Sequence, residues 1–599
     1  MSQPSSSWQA KAAAKRADTL SKIPAEWKLS AADIAEARTR RDITGPFIQG
    51  FLKADEVSIV LRDSVKIVED IKAGKLTAVQ VTTAFCKTAA IAHQINDCLL
   101  EIFFDQALER AKWLDAQFAE KKSTVGPLHG LPISLKDQFH VKGVDTTMGY
   151  VGWIGGNLGV DPKQTHKVQS QITEELLSLG AVLYCKTTLP QTVLFGDTKN
   201  NITGQTLNPQ NRNLSCGGSS GGEGALQALR GSTLGLGTDI GGSVRSPAAC
   251  NGLFGLKPTP ERISYRCVAN TNPGQNTYRS AVGILSTSLG GVDLLLRADL
   301  STKPWLRDPA VVPMPFRDDV VREYEARANL DGTAKASAKP LKLGVFWTDG
   351  VVQPHPPVTR GLRIVADAVK SAGHKIVDWE PPAHDTATKI HVSMLYCEIL
   401  SWGGYTFSSR ALTRSRQDSF LAADGRHDIH GHLARSGEPL IPELEEELRF
   451  KEPMSLLNYQ DATIRGLEFE GKYAEYWNST AEQDGQIVDA VIMPVLPHAA
   501  LIPGKLYHIG YTEAINLMNY SSVVIPVTKA NKDVDVVDGS YKPANDLDRR
   551  NWEAYDPEIY HGGPVGLQIV GRKFEEEKVL AIAKIVVAAM ETAKGKASR

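Results

Sequence analysis

Two serines, each preceded by a pair of glycines, stand in the most glycine-dense part of the chain: Cys216-Gly-Gly-Ser-Ser-Gly-Gly-Glu-Gly224 and Gly237-Thr-Asp-Ile-Gly-Gly-Ser-Val-Arg245. Glycine takes positive φ without penalty and lets backbone pass where a side chain would clash. Consecutive N–H groups in such a turn can converge on one point, as a developing oxyanion requires. Ser243 stands just before a predicted helix start at residues 245–250, so amide donors would surround a nucleophile there. A lone Gly-Gly-Ser usually marks a flexible turn. Two of them flanking one helix–strand unit, with Lys136 at a strand end upstream, point to nucleophilic chemistry. Gly217-Gly-Ser-Ser-Gly221 also satisfies G-x-S-x-G, the nucleophile elbow of an α/β-hydrolase-type esterase with Ser219 as nucleophile. That elbow needs a strand immediately before the serine, whereas Asn208-Pro-Gln-Asn-Arg-Asn-Leu-Ser-Cys216 is polar and loop-like. The Gly-x-x-x-x-Gly-Lys-Ser/Thr phosphate loop is absent.

These residues need elements to position them. Leu131-Pro-Ile-Ser-Leu-Lys136 reads as a short apolar strand that carries Lys136 into the interior, and residues 181–185 read as another, behind a helix ending near Gly180. Thr77 and Gln80 form a capping box, followed by an apolar stripe of Val81, Phe85, Ala89 and Ala92. A second helix presents Ala107, Ala111, Leu114 and Phe118. A strand at 341–346 and a helix from Thr359 to about Gly373 follow a low-information stretch at 301–340, read as linker or surface excursion. Alternating short strands and helices predict an α/β layered fold. The domains expected are a helical N-terminal extension at 1–58 and a single catalytic domain at 59–595, with an insertion or lid at roughly 407–447. His427, His430 and His432, near Asp424 and Asp428, match no usual zinc spacing and read as a solvated polar loop.

Composition narrows the function classes. With 67 basic and 68 acidic residues the formal net charge is -1, which offers no long-range field for nucleic acid or an anionic membrane. The 42 % apolar content supports a large core, yet no run approaches the ~20 apolar residues of a spanning helix. Met1 to Arg16 lacks a secretory apolar segment and reads as a frayed polar tail, the faint likeness to a transit peptide notwithstanding. Seven scattered cysteines, with no CxxC, predict neither disulfides nor a zinc knuckle and fit a reducing cytoplasmic location.

The segment from Gly217 to Pro258 resembles the signature of the amidase signature family, a glycine–serine stretch ending in Thr-Asp-Ile/Thr-Gly-Gly-Ser. Gly126-Pro-Leu-His-Gly-Leu-Pro-Ile-Ser-Leu-Lys-Asp137 is similar to the family's lysine strand. Lys186-Thr-Thr-Leu-Pro-Gln191, Gly255-Leu-Lys-Pro-Thr259, Ile525-Pro-Val527 and Gly563-Pro-Val-Gly-Leu-Gln-Ile-Val-Gly571 extend the match to about residues 60–590. The departure is Gly283-Ile284, where the family usually has Gly-Pro; it puts local loop shape in doubt. The resemblance implies a large mixed sheet covered by helices on both faces and a Ser–cis-Ser–Lys triad of Ser243, Ser219 and Lys136, with the cis bond at Gly218–Ser219. It places the oxyanion hole on the N–H groups of Ile240, Gly241, Gly242 and Ser243. Met148, Gly217 and Gly218 are the substrate-binding candidates, and Tyr150 and Trp153 could join Met148 along an acyl pocket.

A free lysine amine, with a pKa near ~10.4, is a poor base at neutral pH, but burial lowers it. Neutral Lys136 would take a proton from Ser219, which takes one from Ser243 as it attacks the amide carbonyl. No metal or cofactor is needed. The segments at 145–151 and 344–355 look most like fungal acetamidase-type and general amidases, related to fatty acid amide hydrolases. The expected reaction is hydrolysis of a linear carboxylic amide to an acid plus ammonia or amine. A small-molecule amide is the expected partner, with no nucleic acid and no membrane span, and a homodimer is the assembly to look for. The alternatives are a partner-dependent glutaminase subunit of a tRNA amidotransferase and a catalytically dead binding protein.

Overall fold

The computed structural model describes residues 7–156, 167–277, 279–327, 339–392, 423–483 and 485–597. Its strands, in chain order, are β1 (Leu99–Ile102), β2 (Pro132–Lys136), β3 (Val182–Thr187), β4 (Lys199–Asn200), β5 (Gly204–Gln205), β6 (Leu234–Asp239), β7 (Phe254–Lys257), β8 (Ala281–Ser286), β9 (Lys342–Val345), β10 (Lys375–Asp378), β11 (Ala490–Pro494), β12 (Ser522–Lys529) and β13 (Pro564–Val570). Apart from the β4–β5 ribbon, the strands among the described residues form one mixed sheet in the order β1-β3-β2-β6-β8-β7-β12-β13-β11-β9-β10. Every residue of β2 is buried, Ser134 between the apolar Ile133 and Leu135 included, as a strand covered on both faces requires.

β2 runs parallel to both β3 and β6, so the carboxyl ends of β2 and β6 open on the same edge. That edge is where α/β sheets place their ligand crevices. The register pairs Ser134 with Gly235 and Leu135 with Leu236, which brings Lys136 alongside the Thr238 region. The helix Gly221–Ala228 packs on β2 and β6, so its entry loop reaches the same edge. Helix Ala78–Asn96 carries the Thr77–Gln80 capping box and buries Val81, Phe85, Ala89 and Ala92. The helix Phe104–Lys121 follows as expected, burying Ala107, Ala111 and Leu114.

Four expectations need correcting. The segment read as a frayed tail contains a helix, Trp8–Ser21, with Ala12, Lys15 and Thr19 buried. Its capping residue is Ser7, whose side chain accepts the Ala10 N–H, and its long-range partners were invisible to a local reading. Within the stretch read as linker, Asp318–Arg327 is helical. Gly283 lies inside β8 opposite Gly237, so the departure from the family pattern sits in the sheet and not in a loop. Residues 427–434 form a helix instead of a polar loop, while 407–422 lie outside the described residues.

Candidate active site

Lys136 ends β2 fully buried, and the loss of hydration drives its amine down to about 7 against the weaker opposing pull of Asp239 and Glu223. Its Nζ lies 2.7 Å from Ser219 Oγ and 2.8 Å from Thr238 Oγ1. The Thr238 hydroxyl donates to Gln138 Oε1 at 2.6 Å, and Gln138 Nε2 donates to the Ala269 carbonyl at 2.7 Å. Beneath the lysine, burial raises Glu223 to about 7 although the Ser134 and Thr187 hydroxyls donate to it at 2.6 and 2.9 Å.

Ser219 follows a cis Gly218–Ser219 peptide. A Cβ at Gly218 would stand 2.7 Å from the Phe195 carbonyl, so the chain passes here only as glycine. The Ser220 N–H donates to the Ser243 carbonyl at 3.0 Å, tying the two serine loops together. Ser219 is buried, Ser243 is half-buried, and both line one pocket with Gln138, Thr238, Ile240 and Thr271. Their hydroxyls share this pocket without a direct hydrogen bond between them among the described residues.

The loop from Ile240 to Val244 is shaped by Asp239. This carboxylate accepts the N–H groups of Gly242 at 2.9 Å and Val244 at 3.1 Å, and the Arg245 Nε at 3.0 Å. Burial would raise Asp239, but the Arg245 guanidinium beside it holds the carboxyl well below its usual range. Arg245 itself is fully buried and also donates to Gln568 Oε1, the Thr512 carbonyl and Asn516 Oδ1. Gly242, at φ +128°, lies where a Cβ would stand 2.6 Å from Thr512 Oγ1, and the same hydroxyl donates to the Gly241 carbonyl at 2.6 Å. The Gly242 N–H therefore faces Asp239, unlike the expectation that it joins its neighbours in an oxyanion hole. The N–H groups of Gly241 and Ser243 find no acceptor among the described residues.

Of the other expected site residues, Gly217 takes φ +76° and its carbonyl accepts the Thr198 hydroxyl at 2.7 Å. Met148 does not line the pocket; it is buried in a cluster with Tyr150, Trp153 and Leu189. Tyr150 reaches the pocket wall indirectly, through a 2.5 Å hydrogen bond between its hydroxyl and Thr271. Cys216 is buried packing, and Ser215 supports the turn by accepting the Gly217 N–H at 3.0 Å. The clustered histidines diverge: His430 Nε2 lies 2.8 Å from the Leu448 carbonyl, while the His432 ring packs edge-on against Tyr150 and Trp153. Among the described residues no group of three or more His, Cys, Asp or Glu is placed to hold a metal. Sequence reasoning overlooked Thr238, Gln138, Glu223 and Thr512. The first two had a signal, standing inside the Gly-Thr-Asp run and two residues beyond Lys136.

A buried amine beside one serine, with a second serine on an adjoining loop of free amides, is equipped for acyl transfer. Known proteins agree. The Amidase family model matches residues 80–580. An acetamidase of Aspergillus oryzae is 40% identical over 588 residues, covering 97% of this chain and 99% of that protein. An acetamidase of Emericella nidulans is 39% identical over 581 residues, covering 97% and 98%. A solved fatty acid amide hydrolase superposes with a TM-score of 0.83 at 29% identity, covering 97% of this chain and 95% of that one. The chain belongs to the amidase family and has its fold. It is an amidase, an enzyme that hydrolyses amides.

Proposed function

We propose that this amidase cleaves small linear amides through an acyl-enzyme on Ser243, with Ser219 as proton relay and Lys136 as base. The observation that carries the reading is the buried Lys136 amine, 2.7 Å from Ser219 Oγ, on the pocket that also presents Ser243. Neutral Lys136 accepts the Ser219 proton while Ser219 accepts that of Ser243, and Ser243 Oγ bonds to the amide carbon. The carbonyl oxygen takes the negative charge and rests on the N–H groups of Ile240, Gly241 and Ser243. The relay returns the proton to the nitrogen, the C–N bond breaks, and ammonia or amine leaves. Water then attacks the ester by the same route, releasing the acid and restoring Ser243. Small acyl groups are favoured on the likeness to the two acetamidases, and the pocket at Ser243 is lined by Asn270, Thr271 and Asn272 together with Val193 and Leu194.

The near-neutral net charge and the free thiols among the described residues, five buried and that of Cys267 exposed, support a cytoplasmic enzyme acting without nucleic acid, and sedimentation would show whether it pairs as a homodimer. A panel of amides graded from acetamide to long acyl and aryl amides, run on the isolated chain, tests the reading. Acetamide-sized substrates should give the highest kcat/KM, and Ser243→Ala should abolish both turnover and fluorophosphonate labelling. Labelling that survives Ser243→Ala but disappears with Ser219→Ala would transfer the nucleophile to Ser219 and sink the assignment.

A further inference from the structure

Resting on that reading of Lys136 as base, we propose that Gln138 is a positioning residue that sets the direction of the hydrogen bonds around the lysine and keeps its lone pair for Ser219. The Ala269 carbonyl can only accept, and it lies 2.7 Å from Gln138 Nε2, so the Gln138 amide cannot be turned without setting two oxygens against each other. Gln138 Oε1 then faces Thr238, and the single Thr238 proton is committed to it at 2.6 Å. Thr238 Oγ1 is left with lone pairs toward Lys136 Nζ at 2.8 Å and must accept from it. A neutral amine has two N–H donors and one lone pair. With the Thr238 contact assigned as a donation from the amine, the lone pair is open to the O–H of Ser219 at 2.7 Å. Gln138 is only 1% exposed, so water cannot readily replace its carbonyl in this role. Without that acceptor the Thr238 hydroxyl could rotate and donate to the lysine lone pair, in competition with Ser219.

The chain of donors also predicts an unusual pH signature. In the native enzyme Thr238 accepts from the amine in either charge state. With Gln138→Met, the freed Thr238 proton can turn to the Tyr265 oxygen in either charge state of the lysine but to the amine only when that is neutral, so the neutral form gains. The acid limb of kcat should therefore move to lower pH even as the plateau falls, by ~10-fold, about the worth of one net hydrogen bond. KM for acetamide should stay within about twofold. Adding Thr238→Val to Gln138→Met removes the competing donor and should make the enzyme no slower than Gln138→Met alone. Independent roles would instead multiply the losses.

Lys136→Ala, measured in parallel, isolates the premise: a Lys136→Ala enzyme that kept the native kcat would defeat the base assignment itself. With that variant slowed by ~10²-fold or more, either of two results would overturn the role of Gln138. One is a KM rise with kcat and pH profile unchanged, which would make Gln138 a substrate contact. The other is a double variant slower than the single by the full Thr238→Val factor. Should Gln138→Met fail to fold, as judged by circular dichroism, Thr238→Val alone decides. Its plateau should fall by threefold or less, because it removes competitor and acceptor together, and a fall of 100-fold or more would refute the proposal.

Discussion

Burial brings the Lys136 amine down to about 7, so the same shift that suits it to the proposed role of base makes it costly to the fold. In the native state the amine loses its proton at about 7, whereas in the unfolded chain it keeps it to ~10.4. Activity should rise with pH through an acid limb near 7 and then level, and Lys136→Ala should lower kcat by ~10²–10⁴-fold, the range of general-base catalysis. Between the two values the unfolded chain binds the extra proton, so this residue's contribution to stability improves as pH rises from about 7 to ~10.4 and is at its worst below 7. Replacing Lys136 by Met, close in length and uncharged, should raise Tm most at pH 6 and progressively less toward pH 10. Melting curves across that range check the sign; a benefit that grows with pH would mean the amine is charged in the folded enzyme.

Among the elements, the parallel pairing of β2 with β6 brings Lys136 and the Ile240–Ser243 loop to one edge, and the Asp239–Arg245 pair shapes that loop. Both members of the pair are fully buried, so Arg245→Met would strand the Asp239 charge. A loss of about 3–5 kcal/mol in urea denaturation is expected, with activity falling alongside. Thr512→Val is the gentler probe: it removes the hydroxyl that holds the Gly241 carbonyl and should reduce kcat by roughly 10-fold while Tm moves little. A drop in Tm matching that of Arg245→Met would show that Thr512 holds the fold rather than the loop. The Thr77–Gln80 cap, the helix after Ser243 and the buried strand ahead of Lys136 were legible because each is written in a few adjacent residues. Thr238 was quoted within a recognised motif and Gln138 stands one residue past the end of another, yet their contact arises from strand register and from Ala269, far away in the chain. Met148 looked like a pocket residue by its neighbours in sequence, but packing with Tyr150 and Leu189 buries it elsewhere.

At the scale of the whole molecule, the N-terminal helix Trp8–Ser21 covers an edge of the sheet. β1 is the outermost strand on its side, and an exposed edge invites pairing with other chains. Thr19 donates to the Leu100 carbonyl at 3.1 Å, and Lys15, only 6% exposed, pairs with Glu101 of β1 and lies 3.6 Å from Asp145 Oδ2. Asp145 in turn offers its carbonyl to Lys186, which is paired at 2.8 Å with Asp137, the neighbour of Lys136. The extension is thus wired to the strand end that carries Lys136. Burial raises Glu101 to about 7 despite Lys15, so the native state holds a proton there that the unfolded chain, at a pKa near ~4.3, has already lost. Glu101 therefore contributes stability at low pH that disappears as pH rises from ~4.3 through about 7. Lys15→Met removes the cation that tempers this loss. The variant should melt near the native temperature at pH 4, fall increasingly behind it above pH 7, and aggregate as the edge of β1 opens. If instead the deficit were the same at every pH, Lys15 would be acting by packing alone, and Glu101→Gln in the Lys15→Met background would fail to restore the melting temperature that the charge argument requires it to restore.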